Sequence, residues 1–348
     1  MSVTIKDVAK KANVAPSTVS RVISDHPSIS DKTKKRVRKI MDDMGYFMNY
    51  SAQTLAQKST KTIGIVMKNS TKESLHSSFF PEVIRGISAI CSQHDFSMSL
   101  TTGESEKEIF EHTVKMVRGK RVDGLIVLYS KADDKVVPYL VEYDIPFVVI
   151  GQPMQHTNTI THVDNDNIQA AKDATEYLIQ RGHQAIGFIG DDSNFEVVKA
   201  RQEGYTQAMQ AHNFRILDGY VHHMCYELEQ GKNVINQLMA LPSPPTGLVV
   251  TEDMNALIVL SACIDNNIRV PEDMSVISFN NSMNAKVTSP PLTSVDVQIF
   301  ELGYEAANCL LDIIKDPNTI RKSVIIPTII KERASCATIN GTTPQPNV

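Results

Sequence analysis

Residues 13–24 read NVAPSTVSRVIS, with four serines and threonines, one arginine and several β-branched residues in a single short run. These are weak helix formers, yet at 3.6 residues per turn they sort cleanly. Ser17, Ser20, Arg21 and Ser24 share one face at i, i+3, i+4 and i+7, while Val19, Val22 and Ile23 share the other. A solvated face normally carries Lys and Glu. This one carries small hydrogen-bonding side chains and one planar cation, which suits a surface that must enter something narrow.

The flanking sequence supplies partners for that helix. TIKDVAKKA (4–12) predicts a first helix with Thr4 as N-cap, Asp7 at the capping-box position and an apolar stripe of Ile5, Val8, Ala9 and Ala12. NVA is a tight turn, and Pro16 opens the second helix at N1, where its missing N–H costs nothing. ISDKTKKRVRKIMDDMGY (29–46) predicts a third helix, capped by Ser30, with Val37, Ile40, Met41 and Met44 inward and Gly45 as its C′ residue. Two short helices joined by a turn and braced by a third form a helix-turn-helix, whose second helix enters the major groove of DNA. Small side chains let the backbone approach base edges and phosphates, and Arg21 can reach a guanine or a phosphate. The competing reading is a small helical bundle that never meets DNA.

Charge favours the DNA reading. The chain totals −4, but residues 1–60 hold eleven Lys or Arg against five Asp or Glu, a net of +6, so the remainder carries −10. A basic head on an acidic body is expected when only the head meets a polyanion.

From Thr62 onward, short apolar runs alternate with helix-length segments. TIGIVM, FSMSLTT, DGLIVLY, IPFVVIG, AIGFIGD, TGLVVTE and MSVISFN read as buried parallel strands. PEVIRGISAICSQH, NIQAAKDATEYLIQRG and DMNALIVLSACIDNN read as helices between them. The expected fold is an all-α helix-turn-helix head followed by two doubly wound parallel-sheet α/β lobes. The chain should break between lobes near NTITHVDND and pass a second time at PPLTSVD. Ligands in such sheets gather at the carboxyl ends of strands, so two facing lobes would form a cleft.

VTIKDVAKKANVAPSTVSRVIS, GY and NYSAQTLA together resemble the N-terminus of the lactose-repressor (LacI) family of bacterial transcription regulators. The resemblance continues through KRVDGLIVL, THVDND, RGHQAIGFIG, RQEGY, VPEDMSVISFNN and SPPLTSV. It implies a body like the periplasmic sugar-binding proteins and this organisation: head 1–47, hinge helix 48–60, effector-binding and dimerisation domain 61–336, and a loose tail 337–348. It implies DNA contacts from Thr4, Pro16, Ser17, Thr18, Ser20 and Arg21 in the head and from Asn49, Ala52 and Leu55 in the hinge, Leu55 being the minor-groove wedge. Three residues depart from the family pattern: Ala15 for a capping serine, Met48 for a proline and Gln53 for an arginine.

Carried over residue by residue, the resemblance places effector contacts at Phe79, Phe80, Arg201, Glu252, Asp253 and Asn280. The chemistry suits a sugar, with aromatic rings over C–H faces and charged or amide groups on hydroxyls. Phe79 and Phe80 could equally be core, and Asp253 could cap the helix that follows it. Many relatives carry aspartate where Asn280 stands, so effector choice should differ. SFNN together with GIVMKNS resembles the maltose-operon repressors of Gram-positive bacteria, which makes maltose or a maltodextrin the candidate effector.

Rival functions lack their signatures. There is no GxGxxG, P-loop, GxSxG or HExxH for a nucleotide-dependent or hydrolytic enzyme, so no catalytic residue and no cofactor are expected. A transport-type sugar-binding protein would need an export signal and no DNA-binding head. No apolar run approaches the ~20 residues that span a bilayer. Five widely spaced cysteines without CxxC fit a reducing cytoplasm. His222, His223 and Cys225 are neighbours but too few to predict a metal site. A homodimer on a pseudo-palindromic operator is expected, with the sign of the effector response open: induction, corepression, or control by a partner protein.

Overall fold

A computed structural model describes residues 3–46, 59–67, 77–101, 103–155 and 158–339. It divides into two compact units, residues 1–60 and 61–348.

In the first unit, α1 (Ile5–Ala12) begins with Thr4, whose N–H and hydroxyl both donate to the Asp7 carboxylate, at 2.8 and 2.6 Å. α2 (Pro16–Ile23) starts after Ala15, which makes no side-chain cap. α3 (Asp31–Asp43) is capped by Ser30, whose Oγ accepts from the Thr33 N–H at 3.4 Å. It ends where Gly45 adopts φ +61° and the Tyr46 N–H returns to the Met41 carbonyl at 2.9 Å, a left-handed cap that glycine forms without steric cost. Val8, Val19, Val22 and Val37 are fully buried at the centre. Lys34 is the exception among the basic residues of α3. It is buried, and its ammonium donates to the Asp25 carbonyl at 3.0 Å and lies 3.2 Å from the Asp25 carboxylate, which Arg38 also binds.

The second unit holds two six-stranded sheets. Its elements run β1 (Thr62–Val66), α4 (Phe79–Gln93), β2 (Ser97–Leu100), α5 (Glu106–Arg118), β3 (Gly124–Val127), α6 (Val136–Glu142), β4 (Phe147–Ile150), β5 (His162–Asp164), α7 (Asn167–Ile179), β6 (Ile186–Gly190) and α8 (Glu196–Ala211). There follow β7 (Val221–His223), α9 (Leu228–Met239), β8 (Gly247–Val250), α10 (Asp253–Asp265), β9 (Ser275–Phe279), α11 (Met283–Val287), β10 (Thr293–Asp296), α12 (Ile299–Lys315), β11 (Ser323–Ile325) and β12 (Ile329–Lys331). The first sheet has the order β11-β5-β4-β3-β1-β2 and is wholly parallel; the second, β12-β10-β9-β8-β6-β7, is parallel except for β12, which runs antiparallel to β10. Helices cover both faces, so the central strands are buried throughout and read as unbroken apolar runs.

All seven apolar runs are strands, but β2, expected to be buried, lies at the edge of its sheet with its residues exposed or half-buried. Five further strands (β5, β7, β10, β11 and β12) lie outside those runs, because each holds only one or two apolar residues, too few to distinguish it from loop. The chain passes between lobes three times: after β5, after β10, and a third, unforeseen time between β11 and β12. Each passage delivers a helix or strand to the other lobe. α12, for example, returns to pack on α4 in the first lobe, where Gly86 and Gly303 let the helices touch: a Cβ on either would fall within 2.2 Å of a backbone carbonyl of the other helix. The described start of the tail is not loose. Ala337 N–H donates to Ser275 Oγ at 2.9 Å, and Ile339 N–H to the Arg181 carbonyl at 2.9 Å.

Asn165 ties the three passages together. Its buried amide donates to the Val297 carbonyl at 3.1 Å and the Ile326 carbonyl at 2.8 Å, one on each of the other two connections. Asn165→Ala leaves both carbonyls without that donor and is expected to destabilise the unit by about 2 kcal/mol, read as a lower thermal midpoint.

Candidate functional site

On the head, the face chosen from sequence is the exposed one. Pro16, Ser17, Ser20, Arg21 and Ser24 are solvent-accessible, Thr18 is half-buried, and Thr4 is exposed at the start of α1. The Arg21 guanidinium makes no ion pair among the described residues, whereas Lys34 and Arg38 are committed to Asp25. α2 therefore presents small hydroxyls around one uncommitted cation. The hinge residues Asn49, Ala52 and Leu55, with Met48 and Gln53, lie outside the described residues.

In the body, the carboxyl ends of both sheets face a cleft of about 940 Å3, its open mouth included. Phe79 and Phe80, at the start of α4, form one wall with rings edge to face at 5.6 Å; Phe80 belongs at once to the core and to the cavity lining. Phe195, just before α8, contributes a third ring.

Arg201, one and a half turns into α8, is buried on the floor. Its Nε donates to Asn167 Oδ1 at 3.0 Å, its Nη1 to the Thr251 carbonyl at 2.6 Å, and its guanidinium lies 4.3 Å from the Phe279 ring centroid. Nη2 hydrogen-bonds to nothing among the described residues, so the fork is fixed at one edge with donors left over. Burial lowers the Arg201 pKa to about 10, against the raising influence of Asp164 and Glu252.

Glu252 is the N-cap of α10: Oε2 accepts from the Met254 and Asn255 N–H groups at 2.6 and 3.3 Å, and Oε1 from Asn280 Nδ2 at 3.3 Å. Burial, with Asp253 adjacent, pushes Glu252 up to about 7, and burial pushes Asp164 up to about 6.

Asp253 does not belong to the cavity lining, which corrects the expectation of an effector contact. Its Oδ1 accepts from the Ser278 and Ser294 hydroxyls at 2.5 and 2.8 Å, and its Oδ2 from the Ser282 N–H at 2.7 Å. A fully buried carboxylate satisfied on both oxygens stitches α10 to β9 and β10. The helix cap at this turn is Glu252, not Asp253.

The cleft gathers Phe79, Phe80, Arg201, Glu252 and Asn280, and adds groups not singled out from sequence: Asp164, Asn165, Asn167, Asp191 and Tyr226. Tyr226 donates to Asp191 Oδ2 at 3.3 Å. Asp164 and Asp191 close β5 and β6, so the rule that ligands gather at strand carboxyl ends could have found them. His222 and His223 are engaged with the backbone carbonyls of Gly219 and Asp191, and Cys225 Sγ with Asp191 Oδ1 at 3.1 Å.

A hydroxyl donating to Glu252 or Asp164 favours the ionised carboxylate, so binding a neutral polyol releases protons wherever these groups are protonated in the free protein. Affinity should rise with pH through about 6 to 7 and level off above. For folding the sign is opposite: raised carboxyl pKa values give a stabilisation complete below the ordinary carboxylate range and lost progressively as pH rises from that range through about 6 to 7. Calorimetric titration in buffers of different ionisation heat reads the released proton.

Comparison with known proteins gives two family-level matches: residues 4–49 to the bacterial regulatory proteins, lacI family, and residues 175–336 to a periplasmic binding protein-like domain. The chain is 35% identical to the HTH-type transcriptional regulator MalR of Staphylococcus xylosus over 97% of its own length and 99% of the relative's. It is 38% identical to MalR of Streptococcus pneumoniae, over 91% and 94%. Among solved structures, the complex of the transcriptional regulator CelR with cellobiose is similar with a TM-score of 0.75 at 27% identity, covering 96% of this chain and 99% of that one.

Proposed function

This chain belongs to the lacI family of bacterial regulatory proteins, and from that premise we propose a transcriptional repressor whose operator affinity is set by a neutral sugar in the lobe cleft. Maltose and short maltodextrins are the first candidates, because a solved structure described as a probable maltose operon transcriptional repressor, 31% identical and covering 80% of this chain, and the maltose-operon resemblance both point to them.

The observation that carries the reading is the charge of the cleft. One guanidinium, already fixed to Asn167 and Thr251, shares the lining with four carboxyl groups, Asp164, Asp191, Glu196 and Glu252, of which burial leaves Glu252 and Asp164 partly protonated near neutrality. Such a wall repels a phosphorylated ligand and accepts hydroxyl protons, while Phe79 and Phe195 cover apolar sugar faces. Bound sugar changes the angle between lobes, which alters the spacing of two hinges in a dimer and hence their register on DNA. A preference of ~3 kcal/mol for one lobe arrangement shifts operator affinity ~150-fold.

The dimer has a supporting surface. Leu257 and Ile264 lie seven residues apart on one face of α10, Met283 and Val287 four apart on α11, and all four side chains are exposed. α10 and α11 pack together, and the apolar side chains exposed on both offer the kind of surface that marks an interface. The double variant Ile264→Asp/Val287→Asp is expected to run as a monomer in sedimentation and lose operator affinity at least tenfold while still binding sugar.

No helix among the described residues is long and apolar enough to cross a membrane, and the proposed site of action is the cytoplasm, where operator DNA lies. A thermal-shift panel of maltose, maltodextrins, other sugars and purines, followed by a gel-shift titration with the best stabiliser, tests the proposal. Release from the operator on adding a neutral sugar is the expected result. Tighter binding with a purine would make the ligand a corepressor and overturn it.

A further inference from the structure

Two loops, one from each lobe, meet across the cleft through their backbones. Residues 130–132 follow β3 in the first lobe, and residues 194–196 lead into α8 in the second. The Glu196 N–H donates to the Ser130 carbonyl at 3.0 Å and the Ala132 N–H to the Asn194 carbonyl at 3.1 Å, placing Lys131 and Phe195 opposite each other as an antiparallel bridge. The bonds flank this pair rather than join it, which makes it the closer kind of antiparallel pair, with Cα atoms about 4.5 Å apart.

Each loop is braced from within its own lobe. Asp134 accepts from the Val136 and Val137 N–H groups and from the Tyr129 hydroxyl, while Asp192 accepts from the N–H and the side-chain amide of Asn194. Lys131 pairs with Glu106 of the first lobe and sits 5.8 Å from the Phe195 ring centroid. The bridge is thus two preformed edges joined by two hydrogen bonds. The covalent passages between lobes can bend but not part. The bridge can part, because Ala132 and Glu196 are only half-buried and their N–H groups can exchange one partner for water at little net cost. Ser130, Phe195 and Glu196 also line the cavity, so whatever fills the cleft touches the bridge directly.

We propose that this bridge is a latch on the cleft: its making encloses the effector, and its breaking sets the rate at which effector leaves. The inference rests on the cleft being the effector site.

Glu196 offers a clean test. It is the first residue of α8, where proline's missing N–H is tolerated, and Phe195 has φ −83° and ψ 137°, the conformation that a residue before proline prefers. Glu196→Pro deletes one latch bond; Glu196→Ala loses the same side chain but keeps the bond, so the ratio between the two variants isolates the N–H. In the full chain, the Ala132 amide should exchange with deuterium about fivefold to tenfold faster in the proline variant than in the alanine variant. Maltose, used as the probe sugar, should dissociate faster by a similar factor. Equal rates in the two variants would overturn the latch. The double variant Lys131→Cys/Phe195→Cys places two thiols at disulfide range. Its oxidised form should exchange maltose at least tenfold more slowly than the same protein reduced. Failure of the disulfide to form, or identical exchange in both states, would also overturn it. If the unsubstituted chain binds no maltose, the sugar reading fails by itself, while deuterium exchange at Ala132 still decides the latch.

Discussion

Arg201→Ala is expected to raise the dissociation constant for the sugar effector at least 100-fold and to abolish the effector's influence on operator binding. Charge-assisted hydrogen bonds contribute about 1.5–3 kcal/mol each, and the Nη2 edge has donors to spare for a ligand. The truncation also removes the cation that offsets Asp164, Glu252 and Asp253. Breaking a buried charge network by deleting one partner costs about 3–5 kcal/mol, so the variant should melt earlier, although protonation of Glu252 and Asp164 near neutrality relieves part of that loss. Arg201→Lys separates the two effects. It restores a cation, and with it much of the melting temperature, but lacks the planar fork that reaches Asn167, Thr251 and ligand together. Its sugar affinity should remain low. Calorimetric titration beside a thermal melt reads both quantities, and a lysine variant with full sugar affinity would contradict the assignment.

The second large effect is expected on the head. Arg21→Ala removes the uncommitted cation of the exposed α2 face. A good base contact discriminates by about 1–3 kcal/mol, and a dimer loses it twice, so operator affinity should fall at least 30-fold and by up to about 25,000-fold. The pattern of loss assigns the contact. If Arg21 reads a base, the ratio of operator to random-duplex binding collapses; if it holds a phosphate, both weaken together and the salt dependence becomes shallower. Sugar affinity of the free protein should stay where it was, since the head folds as its own compact unit. Gel shifts at several salt concentrations, beside a sugar titration, supply the comparison.

The division of labour between these two arginines was legible to different depths. Around Arg21 everything is local. Thr4 with Asp7, Pro16 at N1, Ser30 as a cap and Gly45 as a left-handed terminator act within four residues of themselves, and the i, i+3, i+4 spacing sorts buried valines from exposed serines. One side chain of the head escaped this reading. Lys34 sits in the basic run of α3, and only the position of Asp25, nine residues back in a left-handed turn, draws it inside.

The sequence by itself determined the head, the seven apolar strands, three of the helices between them and the family, because each is written in local spacing or in apolar runs. Only the tertiary structure decided the third passage between lobes, the short edge strands and the membership of the cleft. A three-residue strand such as β11 holds its form because β5 lends it a ladder, and Asn165 finds its partners 132 and 161 residues away. The neighbours Glu252 and Asp253 make the point most sharply. They are both acidic, both buried and adjacent in sequence, yet one faces the cavity and the other three serines, because successive residues at a strand-to-helix turn point in different directions and only the packed neighbours determine what each one meets.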